Sequence, residues 1–224
     1  MEDSRTPILV QDGPELRETG LVHRIYLPGG VAPATAVMVH GRKGNEDVMW
    51  VFRKAFPRPW LLVAPRAPFV EDEGYSWRPP GGSTWAEWSR LDEGAARLVT
   101  FIQALPRVYN SDPSRVYLMG FSQGAAVSFA AALQRPDLVR GIVSLVGFAP
   151  DLNAHAHAGP LDGLPVFMAA GTADDTIPLE LARKSADVLR TLGADLEYQE
   201  YETGHKLTAQ GMKDLTRWVH AQEH

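Results

Sequence analysis

The chain has 224 residues, 45% hydrophobic and 22% charged, with a formal net charge of −5 and no cysteine. This length suits one α/β domain spanning 1–224, and the acidic balance provides no basic stripe for a phosphate backbone, which sets nucleic acid aside as a partner. Without cysteine there are no disulfides, thiolate metal sites or cysteine nucleophile, so covalent chemistry falls to oxygen or nitrogen.

The first residues, Met1 to Pro7, are acidic and polar and lack the pattern of an export signal, so a cytoplasmic location is expected. No apolar run is long enough to span a bilayer, and no stable membrane insertion is expected. Residues 21–27 read as a strand, interrupted by His23 and Arg24 and followed by a Pro-Gly-Gly turn, which suits an antiparallel edge. Apolar, β-branched runs at 36–39 and 60–64 follow. A helix is predicted over 86–105, with Leu91, Ala95, Leu98, Val99, Ile102 and Leu105 on one face, a capping-box pair at Thr84 and Glu87, and Pro106 at its end.

Strand 115–119 and helix 123–134 flank the turn Gly120-Phe121-Ser122-Gln123-Gly124. Strands at 139–146, 166–170 and 196–201 alternate with helices at 179–192 and 207–221. Such alternation predicts a mostly parallel twisted sheet with helices on both faces. Two Gly- and Pro-rich stretches, 71–83 and 150–165, are predicted as loops over the site, the second too short for a large cap.

A serine in a strand-turn-helix of the form G-x-S-x-G is a candidate nucleophile, because the sharp turn leaves its hydroxyl exposed at the sheet's edge. The hydroxyl needs a base, and the base needs an anion to fix its tautomer. His205 follows the last predicted strand through Glu202-Thr203-Gly204, where active residues of α/β sheets gather. His23, His155, His157, His220 and His224 read as surface residues, and no carboxylate cluster completes a metal site around His155 and His157. The acid is predicted after strand 166–170, where Asp174 and Asp175 compete. The backbone amides of Gln123, at a helix N-terminus, and Arg42, after strand 36–39, are assigned to the oxyanion hole.

His40-Gly41, Pro65-Arg66-Ala67-Pro68, Gly120-Phe121-Ser122-Gln123-Gly124-Ala125, Gly171-x-x-Asp174-x-x-Ile177-Pro178 and Gly204-His205 together resemble the phospholipase/carboxylesterase family of α/β-hydrolases, which includes acyl-protein thioesterases. The resemblance implies an α/β-hydrolase fold without a large cap, hydrolysis of carboxylic esters or thioesters, and no cofactor. It gives the acid role to Asp174 over Asp175. Two departures stand out: Arg42-Lys43-Gly44-Asn45 follows His40-Gly41 where those thioesterases carry an HGxGD string, and 83–88 lacks their Trp-Tyr/Phe-Asp string. These direct the expectation to a serine carboxylesterase for small esters, working through an acyl-enzyme. The rival expectations are an acyl thioesterase, a lysophospholipase and a non-catalytic ligand-binding relative.

Phe69, Tyr75, Trp77, Trp85 and Trp88 are an aromatic concentration suited to walling an acyl or aryl pocket, or to packing in the core, and Ile177 beside the acid is a further candidate for substrate contact. Arg42 and Lys43 read as solvated loop charges or as a bias toward an anionic ester. The expected partner is a small-molecule ester, with a homodimer as an admissible assembly.

Overall fold

The computed structural model describes residues 6–81, 91–150 and 161–223. In chain order the elements are β1 (Ile8–Val10), α1 (Gly13–Thr19), β2 (His23–Tyr26), β3 (Thr35–Val39), a 3-10 stretch (Val48–Ala55), β4 (Leu61–Pro65), β5 (Phe69–Glu71), β6 (Gly74–Ser76), α2 (Asp92–Tyr109), β7 (Val116–Phe121), α3 (Gln123–Gln134), β8 (Gly141–Leu145), β9 (Pro165–Gly171), α4 (Leu179–Thr191), β10 (Asp195–Tyr201) and α5 (Ala209–Ala221). Among the described residues eight strands form one sheet in the order β1-β2-β4-β3-β7-β8-β9-β10, and β5 and β6 form a separate hairpin. The pairs β1/β2 and β2/β4 are antiparallel and the rest of the large sheet is parallel.

Central strands such as Thr-Ala-Val-Met-Val of β3 and Leu-Leu-Val-Ala-Pro of β4 are buried at every position, because both faces of the sheet are covered. Alternation distributes their side chains to two layers. Val37, Val39, Leu61, Val63 and Leu118 pack with buried residues of α2, α3 and α4. Ala36, Met38, Leu62, Ala64 and Met119 pack on the other side with the 3-10 stretch and with Leu215, Trp218 and Val219 of α5. No helix among the described residues is long and apolar enough to cross a membrane.

Three sequence expectations change. Segment 21–27 contributes an antiparallel strand, but β2 lies second in the sheet and the three-residue β1 is the edge, pairing Ile8 with Ile25 and Val10 with His23. His23 is therefore fully buried instead of on the surface. It packs edge-on to Phe101, donates from Nδ1 to the Leu21 carbonyl at 2.7 Å, and receives the Tyr109 hydroxyl at Nε2 at 2.6 Å. Second, α2 passes through Pro106 and ends at Asn110, whose φ is 53°. Proline removes one i→i−4 bond, and burial of Leu98, Phe101, Ile102 and Leu105 on the sheet outweighs that loss. The Thr84 and Glu87 cap lies outside the described residues. Third, the predicted loop 71–83 contains part of a β-hairpin, Phe69–Glu71 against Gly74–Ser76.

Candidate active site

Strand β3 pairs with β4 on one side and β7 on the other, so the connections diverge around the C-terminal ends of β3 and β7. Crevices form at such switch points in open parallel sheets. Here the loop after β3 and the turn after β7 meet. A Cβ built on Gly41 would lie 3.4 Å from the Cβ of Ser122 and 3.2 Å from the Phe121 carbonyl oxygen.

Ser122 stands between β7 and α3 with φ 53° and ψ −118°, a conformation costing roughly 1–3 kcal/mol for a residue with a side chain. The surroundings enforce it. The Ser122 amide donates to the Leu145 carbonyl at 3.0 Å, and the Ser122 carbonyl receives the Ala125 amide at 3.0 Å. Glycine is obligatory on both sides for lack of space: a Cβ on Gly120 would sit 2.3 Å from the backbone of Gly124 and Ala125, and one on Gly124 would sit 2.1 Å from the Val39 carbonyl oxygen. The turn thus presents Ser122 at 7% exposure beside the loop after β3.

Asp174 and His205 arrive on the loops after β9 and β10, which pair in register over seven residues from Asp195↔Pro165 to Tyr201↔Gly171. Beyond the strands the loops stay joined: Thr172 N–H donates to the Tyr201 carbonyl at 2.9 Å and Ala173 N–H to the Thr203 carbonyl at 3.0 Å. His205 Nδ1 lies 2.8 Å from Asp174 Oδ2, and the Asp174 side chain is 1% exposed. The other carboxylate oxygen accepts the amides of Thr176 at 2.8 Å and Ile177 at 3.0 Å. A carboxylate is an acceptor, so Nδ1 carries the proton directed at Asp174 and Nε2 is the ring nitrogen turned away from it. The imidazole rests edge-on against Phe121 with ring centroids 5.1 Å apart, next to Ser122 along the chain. Asp175, in contrast, is exposed, and its carboxylate accepts the Thr176 hydroxyl at 3.4 Å.

Gln123 is the first residue of α3, where helical amides lack intrahelical acceptors, and it is fully buried. Across from it, His40 shapes the loop carrying Arg42. The Ala67 amide, an obligatory donor, reaches His40 Nε2 at 3.0 Å, which places the ring proton on Nδ1 and directs it to the Gly41 carbonyl at 2.6 Å. Burial pushes the His40 imidazole down to about 4, so it is neutral at pH 7. The Gly44 amide donates to the same Gly41 carbonyl at 3.0 Å. In a trans peptide C=O and N–H point in opposite directions, so these two donors turn the Arg42 N–H away from His40. The Arg42 amide has no backbone acceptor among the described residues.

The Arg42 side chain is half-exposed and bonded to Glu71, with Nε to Oε1 at 2.6 Å, and Lys43 Nζ is 2.5 Å from Asp72. Both charges are thus paired with carboxylates of the β5–β6 hairpin. The aromatic wall is also revised. Trp77 is fully enclosed, with its indole N–H donating to the His40 carbonyl at 2.9 Å, and Ile177 is 2% exposed. Both belong to the hydrophobic core. Tyr75 is half-buried, its ring under the Arg66 guanidinium and its hydroxyl 3.2 Å from Arg66 Nη1. Phe69 is half-buried on β5, and Trp85 and Trp88 lie outside the described residues, as do His155 and His157.

Sequence reasoning missed Phe121, Ser76 and Glu46. Glu46 is 3% exposed and takes both Arg66 Nε and Nη2 at 2.6 Å, which holds its carboxyl below the usual range. An acidic residue six positions after His40 was a visible signal, but only the fold shows that Arg66, two residues before the Ala67 amide's neighbour Pro68, closes on it.

A mostly parallel eight-stranded sheet covered on both faces, with a strained serine elbow after β7 and a His–Asp pair after its last two strands, defines an α/β-hydrolase. The sequence profile of the family described as phospholipase/carboxylesterase matches residues 90–222, and the chain belongs to that family. The chain is 26% identical to an acyl-protein thioesterase 1 of Candida albicans, over 88% of this chain and 95% of that one. It is 29% identical to a rice protein named a probable inactive carboxylesterase, over 58% of this chain and 56% of the other. Among solved structures, a carboxylesterase from Mesorhizobium loti superposes with a TM-score of 0.81 at 18% identity, covering 96% of this chain and 98% of that one, a likeness of fold.

Proposed function

We propose that the chain is a serine carboxylesterase that hydrolyses small carboxylic esters through an acyl-enzyme. Ser122 Oγ attacks the ester carbonyl while His205 Nε2 takes its proton. Asp174 holds Nδ1–H and stabilises the imidazolium, and the amides of Gln123 and Arg42 receive the oxyanion. His205 then protonates the departing alcohol. Water, deprotonated by the same nitrogen, attacks the acyl carbon and restores Ser122. The observation that carries this reading is the 2.8 Å His205–Asp174 bond on a ring packed against Phe121, the residue before the strained serine.

The decisive test is a panel of matched esters, thioesters and amides at several acyl lengths, run on the wild-type chain and on Ser122→Ala. Ester turnover is expected in the wild type, with the variant reduced by at least about a thousandfold at unchanged thermal stability. A folded Ser122→Ala protein that keeps substantial activity removes Ser122 from the mechanism. Two other readings draw on relatives. Thioester preference, suggested by the Candida albicans protein's name, would appear in the same panel. A non-catalytic role, suggested by the rice protein's name, predicts no covalent labelling of Ser122 by a fluorophosphonate.

A further inference from the structure

The proposed oxyanion donors sit on separate elements, Gln123 at the head of α3 and Arg42 in the loop after β3. Gln123 is fully buried, and its carboxamide is bonded to the end of the β5–β6 hairpin. The Trp77 amide, an obligatory donor, lies 3.0 Å from Oε1. That contact fixes the orientation of the carboxamide, so Nε2 is the group 3.2 Å from Ser76 Oγ. Ser76 and Trp77 end the β5–β6 hairpin.

The same hairpin holds the Arg42 loop on both sides of Arg42. Lys43 N–H donates to the Tyr75 carbonyl at 2.8 Å, and Tyr75 N–H donates to the Gly44 carbonyl at 3.0 Å. Trp77 Nε1–H donates to the His40 carbonyl at 2.9 Å. Gly74 abuts the loop so closely that a Cβ there would lie 2.1 Å from the Lys43 carbonyl oxygen. Hydrogen bonds thus tie the Gln123 carboxamide to the hairpin end at Ser76 and Trp77, and tie the hairpin to His40, Lys43 and Gly44 on either side of Arg42.

We infer that the Gln123 side chain is a positioning group that locks the two oxyanion amides in register through the β5–β6 hairpin. Gln123 then has two separate roles: its backbone amide stabilises the oxyanion, and its carboxamide sets where the other amide stands. The inference rests on the proposed ester hydrolysis and specifies how its oxyanion hole is built. Binding of ground-state ester requires little of this alignment, whereas a tetrahedral oxyanion requires both donors at hydrogen-bond distance.

The test is Gln123→Met, which keeps the backbone amide and the side-chain length and removes both hydrogen bonds. Wild type and variant are compared in ester kinetics and in affinity for a trifluoromethyl ketone that forms a tetrahedral adduct. We expect kcat to fall by about 10–100-fold, as for a misplacement of the order of 1 Å, with KM within about threefold and ketone affinity falling in parallel with kcat/KM. Ser76→Ala, which removes the acceptor of Gln123 Nε2 and leaves the Trp77 amide bond to Oε1 in place, is expected to repeat the pattern at smaller size, and it decides the matter if Gln123→Met does not fold. An active wild type whose variants keep kcat and ketone affinity overturns the positioning role and leaves ester hydrolysis standing. A wild type that neither turns over esters nor reacts with a fluorophosphonate overturns both.

Discussion

Two adjacent aspartates could not be separated by local reasoning on the chain, because neighbours in an extended loop point to opposite sides and either can meet an imidazole. In the fold the asymmetry is large. Asp174 is nearly inaccessible and bonds His205 plus two amides, while Asp175 is exposed. Asp174→Asn is expected to lower kcat/KM by about 10³–10⁴-fold, since an amide at this position stabilises the wrong imidazole tautomer. Asp175→Asn is expected to stay within about threefold, and steady-state ester kinetics on both variants provide the check; the reverse ranking moves the acid role. Ser122 and His205 were legible as candidates because each follows a strand, as does the loop holding both aspartates, while the preference for Asp174 came from the family resemblance. The partners of His23 were not, since Tyr109 lies 86 positions away and its hydroxyl reaches the imidazole only once α2 is docked on the sheet.

At the scale of elements, strands with continuous apolar runs were found within one or two residues of their bounds, as for β7 and β9. Those that failed to register were short. β1 has three residues and the β5–β6 hairpin three on each side, too few for alternation to rise above chance. The hairpin in particular lay inside a stretch whose Gly and Pro content signals a loop, and its pairing is defined by contacts to the β3 loop and α3 that are distant in sequence. The elbow is the element whose tolerance is most sharply defined. Gly124→Ala would drive a methyl group into the Val39 and His40 carbonyls, neither of which belongs to a flexible side chain. A loss of about 3 kcal/mol or more is expected, because β3 and α3 must separate to admit it. Urea unfolding of the variant against wild type measures this, and a change below about 1 kcal/mol would mean that the elbow relaxes far more easily than its packing implies.

For the whole molecule, two buried neutral imidazoles make stability depend on pH. Burial lowers His40 to about 4 and also lowers His23. In the unfolded chain both titrate near the ordinary value of about 6.5. Between about pH 6.5 and 4 the unfolded state therefore binds more protons than the folded one, so stability rises with pH across this window and falls as pH drops through it. For His40 alone the loss between pH 7 and pH 5 is about 2 kcal/mol. Denaturant midpoints at the two pH values should show that dependence in the wild type and a weaker one in His40→Asn, whose amide supplies a donor near the Nδ1 position without titrating. Equal pH dependence in both proteins would remove His40 as its source.

The placement of β10 has a separate consequence. Among the described residues it forms the outer border of the large sheet, hydrogen-bonded to β9 alone, and none of its seven residues is fully buried. His205 is attached to the end of that border strand, whereas Ser122 is attached to an interior one. Fraying at a margin takes less free energy than dissolving a core. Under the proposed mechanism, activity is therefore expected to be lost before the fold: peeling back one strand would carry His205 away from Ser122 while the remaining layers stay folded.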